Sequence, residues 1–248
     1  MKQAMLLLGL ITLVVAMAGA QSVVVSSAQR DGKAMETRFI VRVENTSSAD
    51  GLAASDGTRW PFAVSPGTWV VHEQDGHLFT VGRKADANGL EAQAEDGNPE
   101  MLVNSLGSRA HGSHMLHGFF NVPVGATGPG PITPGGAYEF TFSAKPGMKL
   151  SFAMMFGQSN DLFYAPEKAI ALFDEKGRPT SGDITSRVLL FDAGTEVNQE
   201  PGIGPDQAPR QKAPNTGQSE SKVVGPVKDD FTYPKTENVL RITITPQR

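Results

Sequence analysis

The chain has 248 residues, a formal charge of −4 at neutral pH and no cysteine. A mildly acidic chain lacks the basic patch that nucleic-acid binding requires. Without disulfides the fold must rest on its own buried core, which a chain of this length can supply as one or two domains.

The first twenty residues read as a secretory signal peptide. Lys2 gives a positive start, residues 5–17 form an apolar core, and Ala18-Gly19-Ala20 supplies the small-residue cleavage pattern. The apolar run is short of the ~20 residues that span a bilayer, and no cysteine follows it to carry a lipid. Cleavage before Gln21 removes Lys2 and moves the formal charge from −4 to −5. The mature chain is therefore expected to be exported, to the periplasm or the extracellular medium, with no transmembrane segment. Residues 21–36 are small and polar and read as a flexible tether, leaving one domain over 37–248.

From Thr37 onward the pattern is that of strands. Phe39, Val41 and Val43 alternate with Ile40, Arg42 and Glu44, the period of a strand with one buried face. Residues 45–57, rich in Ser, Asp and Gly, read as a loop, and residues 60–79 are less regular. Leu90, Ala94, Met101, Leu102 and Leu106 predict one or two short helices, punctuated at Asn98-Pro99 because proline suits a helix start. Residues 125–136 are dominated by Gly and Pro and predict an irregular loop. Tyr138, Phe140 and Phe142 alternate, as do Leu150, Phe152, Met154 and Phe156 after the Lys145-Pro146-Gly147 turn, so the two runs predict a β-hairpin. Two short strands follow at 169–173 and 188–191. A stretch poor in apolar residues covers 198–222, long enough to imply either function or disorder. Leu240, Ile242 and Ile244 alternate in a last strand expected to lie inside a sheet. Many short strands with Gly/Pro turns predict an all-β sandwich.

The chemistry concentrates where two strand-like runs end. Val188 to Phe191 runs into Asp192-Ala193-Gly194-Thr195-Glu196, and Leu150 to Met155 leads to Ser159-Asn160-Asp161. With those strands side by side, Asp161, Asp192 and Glu196 would converge and offer the oxygen ligands that calcium takes six to eight of. Spacing alone favours solvated turns, since Asp bonds its own backbone there and no EF-hand loop is present.

Other candidates are weaker. His111, His114 and His117 have a zinc-like spacing, but Gly112 and Gly118 oppose a helix and no fourth ligand sits nearby. Glu91, Glu95 and Asp96 suggest a carboxylate pair for glycoside hydrolysis, yet sequence neighbours need not face each other across a cleft, and a charged helix end is the simpler reading. No Gly-x-Ser-x-Gly elbow accompanies Ser65, Ser105, Ser113 or Ser159, and no catalytic constellation emerges. Most large aromatics are expected in the core. Phe163 and Tyr164, just beyond Asp161, are the pair that would form a glycan or membrane contact if exposed.

Ser159 to Pro166 (SNDLFYAP) followed by Phe191 to Glu196 (FDAGTE) resembles the spondin N-terminal domain, which carries a Ser-Pro-Asp-Trp-like segment and then Trp-Asp-Ala-Gly-Thr-Asp. The order of Ser65-Pro66-Gly67, Leu78 to Gly82, Gly89 to Gly97 and Asn198 to Gly202 is similar to the bacterial branch over nearly the whole mature length. The resemblance implies an eight-stranded antiparallel sandwich of the C2-like type that binds one calcium through Asp161, Asp192 and Glu196. Asn160 stands where the family has Pro, and Glu196 where it has Asp; Asn160 and backbone carbonyls would complete the shell. The same resemblance implies a non-enzymatic adhesion or surface-binding module whose partner is a surface glycan or an extracellular protein. The alternatives are a secreted hydrolase acting on polysaccharide or lipid, and a stable envelope domain that binds another protein.

Overall fold

The computed structural model describes residues 36–49, 51–73, 78–85, 87–109 and 115–247. The expected signal peptide and nearly all of the tether lie outside them, as do His111 and His114. The first half contains β1 (Thr37–Asn45), β2 (Leu52–Ala53), β3 (Arg59–Trp60), β4 (Val64–His72), α1 (Leu90–Glu95), α2 (Glu100–Arg109) and β5 (Leu116–Phe120). β6 (Ala137–Ala144), β7 (Lys149–Phe156), β8 (Leu162–Pro166), β9 (Ile170–Ala171), β10 (Gly182–Asp183) and β11 (Val188–Asp192) follow. β12 (Gly225–Pro226), α3 (Thr236–Val239) and β13 (Leu240–Gln247) close the chain. Among the described residues, eight strands have five residues or more; the others are two-residue pieces, of which β2 and β3 pair with each other in a small sheet of their own.

The architecture is an all-β sandwich of antiparallel strands. One sheet runs β10-β13-β1-β6; the other runs β12-β11-β8-β7-β4-β5, with β9 beside β7. β1 lies between β13 and β6, and Val41 stands opposite Ile244 on one side and Phe140 on the other. The alternation read in β1, β6 and β13 therefore places Phe39, Val41, Val43, Phe140, Phe142, Ile242 and Ile244 in one buried cluster with Leu150, Phe152, Met154 and Phe156 of the facing sheet.

A second core covers the far face of the larger sheet. Leu90 and Ala94 of α1 and Leu102 and Leu106 of α2 pack with Val70, Ala153, Phe163, Ala165 and Phe191. The central strand β8 is consequently buried at all five positions, which removes any alternation from its sequence.

Two expectations need correction, and the packing of one aromatic pair is as the simpler reading had it. β6 and β7 do not form a hairpin: each is the other's neighbour in sequence but lies in the opposite sheet, so the turn at 145–148 is a sandwich corner. Two alternating strands joined by a turn satisfy their buried faces equally well by facing each other across a core as by pairing. β7 and β11 are not side by side either, because β8 stands between them. Phe163 and Tyr164 are fully buried, one in each core, and present nothing to a partner.

Among the longer strands β4 and β5 escaped the sequence reading, as did the fully buried β8. β4 is nine residues long but opens with Ser65-Pro66-Gly67, where its register with β7 shifts; proline and an irregular register hide such a strand. β5 carries His117, placed on an edge strand and not on a helix. Among the described residues no helix is long and apolar enough to cross a membrane.

Candidate functional site

Asp161 immediately precedes β8, and Asp192 ends β11 opposite Leu162 in the antiparallel register. The Ala193 amide donates to the Asp161 carbonyl at 3.1 Å. β8 thus does what direct pairing of β7 and β11 was expected to do: it brings the two acidic turns to one end of the larger sheet.

Local sequence chemistry builds each turn. The Ser159 hydroxyl donates to the Phe156 carbonyl at 2.7 Å and accepts from the Leu162 amide at 3.1 Å, closing the turn that carries Asn160 and Asp161. Asp192 Oδ1 accepts from the Gly194 amide at 2.7 Å, an Asx turn. Gly194 has φ 72°, and a Cβ there would come within 2.8 Å of the Lys222 backbone, so glycine is required on both counts.

The side chains meet as follows. Asp161 Oδ2 accepts from the amides of Thr195 (2.8 Å) and Glu196 (3.1 Å) and from the Thr195 hydroxyl (3.2 Å). Asn160 donates to Glu196 Oε2 at 3.2 Å and its carbonyl oxygen accepts from the Gln199 amide at 3.2 Å. Asp192 Oδ2 accepts from Asn198 at 2.9 Å. All four expected residues are therefore gathered at one sheet end, and each is at least nine-tenths buried.

A fifth residue joins them. Glu95, the last residue of α1, is 2 % exposed, and neither of its carboxylate oxygens makes a well-formed hydrogen bond; the Thr195 side chain is the donor that faces it. Asp161 Oδ1 is buried and without a donor. The helix end is also the wrong place for a carboxylate, because the C-terminal carbonyls are themselves partially negative. The charged helix end read in the sequence is thus a buried acid. No local pattern marks it, since Glu91 and Glu95 read alike on α1 and only Glu95 is buried.

Gln93 fixes the orientation of the helix. It is fully buried, accepts from Thr68 at 3.0 Å and donates to the Pro66 carbonyl at 2.9 Å, tying α1 to the irregular start of β4.

Burial sets the electrostatics. It pushes Glu95 up to about 8, against a favourable influence of the Thr195 side chain and with help from the charges of Glu196, Glu91 and Asp161. It pushes Asp161 up to about 7, reinforced by Asp192 and opposed by the amides of Glu196 and Thr195. Asp192 and Glu196 are also raised, chiefly by burial. Each group resists ionisation chiefly because burial strips its hydration, and the charges of neighbouring acids add to the effect.

The long segment after Glu196 folds back over this site and is ordered by hydrogen bonds. Val197 pairs with Gln218, and the Glu220 and Lys222 amides donate to the Thr195 and Gly194 carbonyls at 2.8 and 2.9 Å. Gln211 and the Asn215 amide donate to Asp96 Oδ1 at 2.9 and 3.2 Å, linking the strap to the end of α1. Glu200 accepts from the amide and hydroxyl of Ser55, both at 2.6 Å. Gly202 (φ 91°) lies on the Trp60 indole, and a Cβ there would meet the ring at 2.0 Å. Gly202→Ala is accordingly expected to cost about 1–3 kcal/mol by overpacking alone, with a lower melting temperature and a shifted emission from Trp60, one of two tryptophans in the chain.

Among the described residues, no three His, Asp or Glu side chains stand as they lie in an arrangement that holds a metal. What the arrangement offers a hard cation is a set of buried oxygens that make no well-formed hydrogen bond: both of Glu95 and one of Asp161, with Glu196, Asp192 and the Asn160 carbonyl close in the same turns. No protein-family model matches the chain, and no curated protein matches it either.

Proposed function

We propose that the chain is an exported, calcium-binding, non-enzymatic β-sandwich module of adhesion or surface binding. The observation that carries this reading is the gathering of buried acids at one sheet end, with three carboxylate oxygens on Glu95 and Asp161 that make no well-formed hydrogen bond. A buried acid short of donors is costly, and a divalent cation is the partner that turns the cost into binding energy. Glu95, Asp161 and Glu196 would hold it, with Asp192 and Asn160 supporting the two turns and carbonyls or water filling the shell to the six to eight oxygens calcium takes. When bound, calcium supplies positive charge and oxygen coordination and no chemistry of reaction. The turns after β7 and β11, the end of α1 and the long strap would then be held in one binding-competent shape. The resemblance to the spondin N-terminal domain supports the calcium, the adhesion role and a surface glycan or extracellular protein as partner. The leader-like residues 1–20 support export.

Thermal unfolding of the mature protein with calcium and with a chelator tests the site. Saturation at a hundredfold excess over Kd would add about 2.7 kcal/mol, and the melting rise is expected to vanish in Asp161→Ala and in Asp192→Ala. A calcium rise that persists in both variants, or none in the unaltered protein, overturns the reading.

One observation favours a secreted hydrolase instead: Glu95, held near 8, has the raised value of a general acid. That chemistry also needs a second carboxylate kept ionised opposite the acid. Here Asp161, Asp192 and Glu196 are all pushed in the same direction as Glu95, so the separation of roles is missing. Hydrolysis of a polysaccharide or ester that stops in Glu95→Gln would reverse this order.

A further inference from the structure

Among the described residues β5 is the outermost strand of the larger sheet and pairs on one side only, with β4. A strand that ends a sheet offers unpaired N–H and C=O groups to another chain, and proteins blunt such edges by shortness, proline or charge. The other three terminal strands carry a device of this kind. β10 is a two-residue piece holding Asp183, β12 is a two-residue piece holding Pro226, and β6 carries Glu139. β5 carries none. From Met115 to Tyr138 there is no Lys, Arg, Asp or Glu, the longest uncharged run among the described residues of a chain that is 19 % charged. Within this run Leu116, Phe119, Val122 and Val124 are 40 % to 54 % exposed. The strand itself is held firmly from behind. Trp69 of β4 fills the space over Gly118, where a Cβ would come within 2.8 Å of the indole, and Phe120 stacks on Phe140 at 4.9 Å.

We propose that β5 pairs with β5 of a second copy of this chain, antiparallel about a two-fold axis, so that two larger sheets join edge to edge. The inference stands apart from the calcium reading and uses none of its residues. An open strand edge is matched by another strand, because an extended backbone returns its hydrogen bonds. A charged peptide finds no counter-charge along this edge. Two copies of an acidic chain can meet here without setting like charges opposite each other, which elsewhere would cost stability. The rigid backing of β5 means that little ordering is needed on pairing. Because the two-fold uses the same edge of both copies, assembly closes at two. A five-residue edge is short, so Leu116, Phe119, Val122 and Val124 must supply much of the association, and the dimer belongs among the weaker interfaces.

Sedimentation velocity of the mature protein in EDTA, taken across the micromolar range, tests this. The expected result is a concentration-dependent dimer whose association is weakened roughly tenfold or more in Phe119→Lys and in Leu116→Lys. Val223→Lys, the same change at an exposed apolar residue beside β12, should leave the dimer intact. Both β5 variants should melt with the unaltered protein at dilutions where all are monomers, since exposed positions tolerate such changes. Hydrogen exchange gives a second readout: the β5 amides should exchange more slowly at high concentration in the unaltered protein and not in Phe119→Lys. A monomer throughout, a dimer that both β5 variants retain, or growth beyond two copies overturns the inference. A monomer that floats with phosphatidylcholine vesicles, and fails to do so as Phe119→Lys, also overturns it and makes the edge a lipid contact.

Discussion

Glu95→Gln is expected to stabilise the metal-free protein at pH 8 and above while removing most of its response to calcium. The two halves of that result have one cause. In the folded protein burial holds the Glu95 carboxyl near 8, well above its ordinary value of 4.5. Between those two values the unfolded chain has released the proton and the folded chain has kept it. With fewer protons on the unfolded state, stability falls as pH rises across that window, and it levels off above about 8. Asp161, held near 7, adds a loss of the same sign that is complete at lower pH. A tenfold gain in proton affinity on folding is worth roughly 1.4 kcal/mol, so the slope should be visible in melting temperatures taken from pH 5 to pH 9 in EDTA. The glutamine keeps the shape and has no charge to bury, so its profile should be flatter, crossing above the unaltered protein near neutral pH. With calcium the order inverts at pH 8, because only the carboxylate repays its burial by ligation. Equal pH profiles for the two proteins in EDTA would show that Glu95 is not the buried acid the structure makes it.

This residue also marks the limit of what the sequence disclosed. Phe39-x-Val41-x-Val43 and Leu240-x-Ile242-x-Ile244 announce half-buried strands because each has one wet face, and the structure pairs them with each other. Val188 to Phe191 was legible for a different reason, as a short apolar run ended by an acidic turn, and Leu150 to Met155 as a strand-like run leading to Asp161. β8 was not, because both of its faces are dry and SNDLFYAP shows no period. Without β8 the convergence of Asp161 and Asp192 could be foreseen only through the wrong neighbour. Glu95 was hidden by a different effect. A glutamate near a short helix end is ordinarily solvated, and only the packing of Gln93 against β4 and the closing strap at 211–215 bury it. Those contacts span 27 and 115 residues of chain, beyond the reach of any local pattern.

Phe156→Ala is expected to be the most destabilising single core change, at about 3–5 kcal/mol. Phe156 is fully buried at the end of β7 and is ringed by aromatic neighbours: Phe62 at 5.5 Å between centroids, Trp60 at 5.8 Å, Tyr164 at 6.0 Å and Tyr233 at 6.3 Å. Removing the ring opens a cavity walled by β3, β8 and the connecting segments that carry Phe62 and Tyr233, which cannot all close on it. For a domain of this size each kcal/mol lowers the melting temperature by about 2–4 °C, so a fall of roughly 10 °C is the expected reading. Phe156→Leu, which keeps most of the volume, should cost far less, and Phe119→Ala on the exposed part of β5 should cost little, since that ring is 48 % exposed. The core change should also reach the site. The Ser159 hydroxyl that closes the Asp161 turn is bonded to the Phe156 carbonyl, and Trp60 seats Gly202 of the strap. Calcium affinity measured below the lowered melting temperature should therefore fall in Phe156→Ala and stay unchanged in Phe119→Ala. Unchanged affinity in Phe156→Ala would mean that the acidic turns are held by their own hydrogen bonds alone and that the aromatic core beneath them is a bystander.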